Sequence, residues 1–210
     1  FRRIPVVRNQ RPLIGVVGEI YVRANEFSNA GVVRLLEELG AEVRVAPTAE
    51  WLMYTHYKKL GDTRLRREWR SHLRTRLERY VLRRDEHRAA GAFAGTIGDW
   101  ELEEPMTERV VRHSEPYISE AYRGEPVLTV GKAIDYAKVG FDGIINVMPF
   151  SCMPGTMVSS VSPQVKHEHG IPWLNLTFDG QEQSHLRTRL EAFVHQAQLH
   201  QPRGQSPPAG

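Results

Sequence analysis

Cysteine occurs once in the 210 residues, at Cys152. A single thiol excludes an internal disulfide framework and points to a reducing compartment, so a cytoplasmic setting is expected. It also limits metal chemistry, because a zinc or iron–sulfur centre draws on about four protein ligands. Any cluster would need the remainder from another domain or chain. No apolar run approaches the roughly 18 residues of a membrane span, so no membrane role is expected. There is no Gly-x-x-x-x-Gly-Lys-Ser/Thr loop, which places any ATP hydrolysis elsewhere, and no Gly-x-Ser-x-Gly elbow of the hydrolase type. Gly15 and Gly18 are too sparse for a dinucleotide fingerprint. Phe1-Arg2-Arg3 lacks an initiator methionine and no signal-peptide core follows, so residues 1–11 read as a segment cut from a longer protein.

What is present is an ordinary globular composition, 40% apolar and 25% charged with a net charge of +3. Pro12-Leu-Ile-Gly-Val-Val-Gly18 is a short β-branched run closed by glycine, which predicts a strand buried on both faces. Asn25 to Ser28 offers cap residues. Val32, Leu35, Leu36 and Leu39 then recur at helical spacing before Gly40, and Val43 to Ala46 reads as a second strand. Such a β-α-β unit implies a right-handed crossover and a parallel sheet. The pattern returns with a helix over Pro126 to Ala137, a strand at Gly143 to Met148, a helix through Val158 to His167, and a strand at Ile171 to Phe178. Leu186, Leu190, Phe193, Val194 and Ala197 mark a terminal helix. The expectation is therefore an α/β domain over 12–200, a flavodoxin-like parallel sheet of about four strands.

Between them, about 51–125, strand signals vanish and a helical insertion is expected. Leu65, Trp69, Leu73, Leu77 and Val81 repeat every four residues with Tyr80 alongside, which predicts one long helix with a core-facing apolar stripe. Twelve Lys or Arg against five Asp or Glu between Lys58 and Arg88 make the segment basic. CoA phosphates or an acidic partner surface suit that charge, and a solvated helix face explains it equally well. Nucleic acid is not expected, since no exposed aromatics are predicted among the charges. Gly95 to Pro105 reads as a loop, and 201–210 as a disordered tail.

Ligands of an open parallel sheet gather beyond the carboxyl ends of its strands. Three loops meet there: Glu19 to Ser28, Pro149 to Met157 and Asp179 to Ser184. Cys152 falls in the second, between two prolines and beside a helix start whose dipole favours negative charge. Position alone leaves two readings open, a functional thiol and a small buried hydrophobe. His167-Glu-His169 has alternating metal-ligating types, but no third ligand follows by spacing.

The segments Pro126-Val-Leu-Thr-Val-Gly-Lys-Ala-Ile-Asp135 and Gly140-Phe-Asp-Gly-Ile-Ile-Asn-Val-Met-Pro-Phe-Ser-Cys-Met-Pro-Gly155 resemble the C-terminal part of 2-hydroxyacyl-CoA dehydratase subunits and their activase-linked relatives. Ile14-Gly-Val-Val-Gly-Glu-Ile-Tyr21 and Phe178-Asp-Gly-Gln-Glu through Leu190-Glu-Ala-Phe193 fit the same pattern, so the resemblance runs from about Pro12 to Gln198. The Pro-Phe-x-Cys-Met-Pro block is its most specific part.

The resemblance implies flavodoxin-like lobes that jointly hold a four-iron four-sulfur cluster through cysteines. It further implies single electrons delivered by an ATP-hydrolysing activator, in anaerobic metabolism. Cys152 matches a cluster-ligand position; the family's other ligand cysteines have no counterpart in this chain. The implied partners are another dehydratase-like lobe or subunit, the ATPase activator and an acyl-CoA, and no cluster is expected in the isolated chain. Glu19, Tyr21, Asn25, Ser28, Phe150 and Ser151 are the candidates to line the cofactor pocket, although Asn25 and Ser28 also read as helix caps. A non-catalytic flavodoxin-like binding or assembly module is the alternative.

Overall fold

The structure, a computed structural model, describes residues 11–93, 106–181 and 185–200. Residues 1–10, the predicted loop at 95–105 and the predicted tail at 201–210 lie outside the described residues. The chain divides into two compact units, an α/β unit that runs to Thr48 and resumes at Arg109, and a helical unit of Ala49–Glu108.

In the α/β unit, four strands form one parallel sheet: β1 (Leu13–Gly18), β2 (Glu42–Val45), β3 (Gly143–Pro149) and β4 (Trp173–Phe178), in the order β2-β1-β3-β4. Register is fixed by pairs such as Val16 with Val45, Val16 with Ile145, and Ile145 with Leu174. The helices are α1 (Ile20–Ala24), α2 (Val32–Glu38), α5 (Thr107–Ser114, which begins at the division between the units), α6 (Glu125–Lys138), α7 (Met153–His169) and α8 (Leu186–His200). This is the expected α/β flavodoxin-like arrangement. Helices α3 (Ala49–Leu65) and α4 (Trp69–Gly91) make up most of the helical unit.

Strand alternation assigns the two faces of the sheet. Ile14, Val16, Ile145, Val147 and Leu176 pack with Val32 and Leu36 of α2 and with Leu190, Phe193 and Val194 of α8. On the opposite face Gly15 receives the ring of Tyr136 from α6, while Met148 lies against Gly155 of α7. Central β3 is buried from Gly143 to Met148, which is why its sequence reads as a continuous apolar run rather than an alternation. Helix α6 is buried at every position from Pro126 to Tyr136.

Cys152 is absent from this core cluster. Among the described residues no group of three or more His, Cys, Asp or Glu could hold a metal ion. The purified chain should therefore be colourless, and its melting temperature should be unchanged by a chelator; a chelator-induced drop of several degrees would contradict this.

The helical unit corrects three expectations. The predicted single helix is broken at Arg66 to Glu68, where Arg67 adopts a φ of 57°, so Leu65 ends α3 and Trp69 begins α4. The predicted core-facing stripe points outward: Leu65 is 83%, Trp69 68%, Leu73 62%, Leu77 63% and Tyr80 64% exposed. With Trp69 and Tyr80 in solvent, the segment also exposes the aromatics it was expected to lack. The reason lies in the inner face of α4. Thr75 is fully buried there, His72 meets Thr63 Oγ1 at 3.1 Å, and Glu78 lies 3.7 Å from His56 and 3.9 Å from Lys59, so small and polar residues face α3. A repeat of four also precesses about 40° per step on a helix of 3.6 residues per turn, which carries Val81 to the half-buried side.

Candidate functional site

Strand order places the switch point between β1 and β3, because the chain leaves β1 toward β2 on one side and β3 pairs on the other. A shallow cleft with about 10 Å³ of enclosed space lies there, lined by Gly18, Glu19, Glu125, Pro126, Thr129, Asn146, Pro154, Gly155 and Val158. That is about the room one water molecule needs and far less than a drug-sized ligand. Gly18, at a φ of 115°, lets the chain turn tightly against β3; a side chain here would strike the Val147 carbonyl.

Glu19 caps α1, accepting from the backbone N–H groups of Tyr21 (3.1 Å) and Val22 (2.7 Å). Buried Arg23 donates to the carbonyls of Gly18 (3.3 Å) and Pro47 (3.2 Å), tying the ends of β1 and β2 together. Glu125, in the first turn of α6, accepts from the Ile20 N–H at 3.2 Å. Burial foremost, with the nearby Glu19 carboxylate, pushes Glu125 above the ordinary carboxylate range, while the Ile20 bond and Arg23 oppose the shift. The stability Glu125 allows is thus greatest below its unfolded pKa and declines as pH rises through the folded one. Glu125→Gln should remove that decline, so denaturant melts should show the variant gaining on the parent between about pH 4 and pH 7. A constant difference across that range would contradict the assignment.

Asn146 sits in the middle of β3, fully buried. The Trp173 indole donates to Asn175 Oδ1 at 2.9 Å, so Asn175 turns its nitrogen to Ser162 (3.0 Å) and Asn146 must also donate to that oxygen (3.0 Å). The chain of amides thereby fixes Asn146 Oδ1 on the other side, near Gly18, where no described residue bonds it.

The β3–α7 loop holds Cys152 beside this cleft. Phe150 N–H donates to the Phe178 carbonyl at 2.8 Å, Ser151 adopts a φ of 59°, and Cys152 N–H donates to the Pro149 carbonyl at 3.2 Å. Cys152 is the N-cap of the 17-residue α7, half-buried, and its side chain makes no capping bond. Its own carbonyl accepts from Thr156 N–H and Oγ1, both at 2.9 Å. Exposed Phe150 and Met153 flank it in sequence, 70% and 74% accessible.

The β1–α2 loop supplies the remaining candidates. Tyr21 is exposed, and its hydroxyl accepts from Asn25 Nδ2 at 3.1 Å. Asn25 closes α1 and accepts from Ser28 N–H at 3.0 Å in a turn, so neither residue caps α2. The N-cap of α2 is Gly31, which has no side chain to offer, and buried Asn29 instead accepts at Oδ1 from the N–H groups of Gly31 (3.1 Å) and Val32 (3.3 Å). Of the predicted pocket residues only Glu19 lines the cleft; Glu125, Thr129 and Asn146 join it unpredicted. An asparagine inside an otherwise apolar buried strand was the signal for Asn146, and Glu125 reads in sequence as a helix-start residue. His167 is exposed at the far end of α7. His169 there lies 3.2 Å from the Tyr117 hydroxyl, which also bonds Glu168.

The site thus offers one half-buried thiol at a helix N-terminus, beside a small cleft lined in part by two carboxylates. No family model, curated protein or solved structure matches the chain.

Proposed function

We propose that the chain is the C-terminal lobe of an iron–sulfur protein resembling the 2-hydroxyacyl-CoA dehydratases and their activase-related proteins. In this reading Cys152 supplies one ligand to a four-iron four-sulfur cluster whose other ligands come from a second lobe or subunit. The observation that carries it is the setting of Cys152: a half-buried thiol at the head of α7, on a loop pinned to the ends of β3 and β4, with Phe150 and Met153 exposed beside it.

A single thiol at that place fits one corner of a cluster. The positive end of the α7 dipole suits an anionic sulfur and its cluster. The cluster, when bound, supplies low-potential single electrons. This chain would hold one ligand on a loop fixed by the Pro149 and Phe178 carbonyls, with exposed Phe150 and Met153 available to pack against a second lobe. The ATPase activator and the acyl-CoA belong to the same proposal, as partner and substrate of the assembly.

A non-catalytic flavodoxin-like module is the second reading, favoured by the absence of any three-ligand group among the described residues. Anaerobic isolation of the natural assembly, with iron and sulfide analysis and electron paramagnetic resonance after reduction, separates the two. Four irons per site and a reduced-cluster signal are expected of the first reading. Iron-free assembly isolated anaerobically would leave the second.

A further inference from the structure

The helical unit carries its most apolar face outward. Trp69, Leu73, Leu77 and Tyr80 follow one another at spacings of four, four and three, which at about 100° per residue confines them to a seam about 80° wide. The seam is about 17 Å long at 1.5 Å per residue. Leu65, at the end of α3, is exposed as well. The same helical geometry sets Arg70 and Arg74 along one edge and Arg76 and Arg83 along the other. Arg70 stacks 5.1 Å from the Trp69 ring, and Arg74 pairs with Glu78 at 2.8 Å. Arg76, at one edge, and Arg66, Arg67 and Arg88, before and after the seam in sequence, are exposed and make no ion pair with a described residue.

From this we infer that α4 is a docking helix for a partner protein, one that presents an apolar helical seam edged with Asp and Glu. A large exposed apolar patch on a folded surface marks an interaction site. Charge decides the occupant. Two copies of this chain would bring arginine rows against arginine rows, which like-charge repulsion disfavours, whereas carboxylates on a partner would meet guanidinium groups on both edges. A seam this narrow is the kind that packs one helix on another. A helix lying in a membrane sinks a broader face, and Arg84 falls within this one. The rings of Trp69 and Tyr80 are three turns apart with leucines between, so they do not form a stacking platform for successive bases. The inference holds with or without a cluster at Cys152.

The test uses the full chain and a synthetic helical peptide of three heptads, leucine along its seam and glutamate at both edges, followed by fluorescence anisotropy. The peptide should bind at low salt and lose about tenfold or more in affinity at about 0.5 M salt. Leu73→Glu and Leu77→Glu should each cost about tenfold or more while circular dichroism and melting stay unchanged, since both side chains are exposed. Any of four outcomes overturns the proposal: no binding at low salt, equal binding of a lysine-edged peptide, a dimer in sedimentation that Leu73→Glu dissolves, or tighter binding to phosphatidylserine vesicles or a single-stranded oligonucleotide than to the peptide.

Discussion

Replacing Gly131 by alanine is expected to destabilise the α/β unit, against the direction that helix propensity dictates. Gly131 lies inside α6, where alanine is worth about 1 kcal/mol more than glycine on propensity alone. Here the backbone of α5 crosses so closely that a β-carbon would strike the carbonyl group of Val110. Backbone cannot rotate away as a side-chain tip can, so the helices must separate. Overpacking of this kind costs about 1–3 kcal/mol, and Gly131→Val should exceed the alanine variant. A loss of about 3 kcal/mol lowers the melting temperature by about 6–12 °C in a chain of this size. Gly61 provides the control: it is also helical, nothing lies within 4 Å of its would-be β-carbon, and Gly61→Ala should stabilise slightly. If both alanine variants stabilise, the close crossing of α5 and α6 is wrong.

That contrast shows what sequence could and could not convey. Strands β1 and β3 were legible because a strand buried on both faces must be β-branched and apolar throughout, as Ile14 to Val17 and Ile144 to Val147 are. Helices α2, α6 and α8 were legible through their apolar periodicity, and Gly40 marked the end of α2 with a φ of 89°. Helix α1 was missed because five residues are too few for periodicity to emerge, so Glu19, which both lines the cleft and caps α1, read as a pocket residue alone. The break at Arg66 to Glu68 carries no glycine or proline, so nothing local announced it. Reading the Leu65-to-Val81 repeat as core-facing rested on the premise that an apolar stripe always finds cover within its own chain. Here the cover on α4 is on the opposite face, where Thr75 and Ser71 allow α3 to approach. At the site, the position of Cys152 after β3 followed from the order of strand, loop and helix, whereas Glu125 enters the cleft from a helix more than twenty residues earlier in sequence. Such a juxtaposition belongs to the topology and has no local signature.

The second large effect concerns Cys152 itself. Thiolate is the form that ligates iron, and an alanine leaves one iron of the cluster without its protein ligand. Neither the Pro149 and Phe178 carbonyl contacts nor the Thr156 bonds to the Cys152 carbonyl involve the sulfur, so the loop should keep its shape in Cys152→Ala. Folding and assembly are therefore expected to survive the substitution, which separates loss of a ligand from loss of structure. The decisive measurement is the iron content and visible absorbance of the anaerobically isolated assembly, parent against Cys152→Ala. The proposal predicts that the variant assembles normally and loses most of its iron and its cluster absorbance; equal iron and an unchanged spectrum in the two would show that Cys152 is not a ligand.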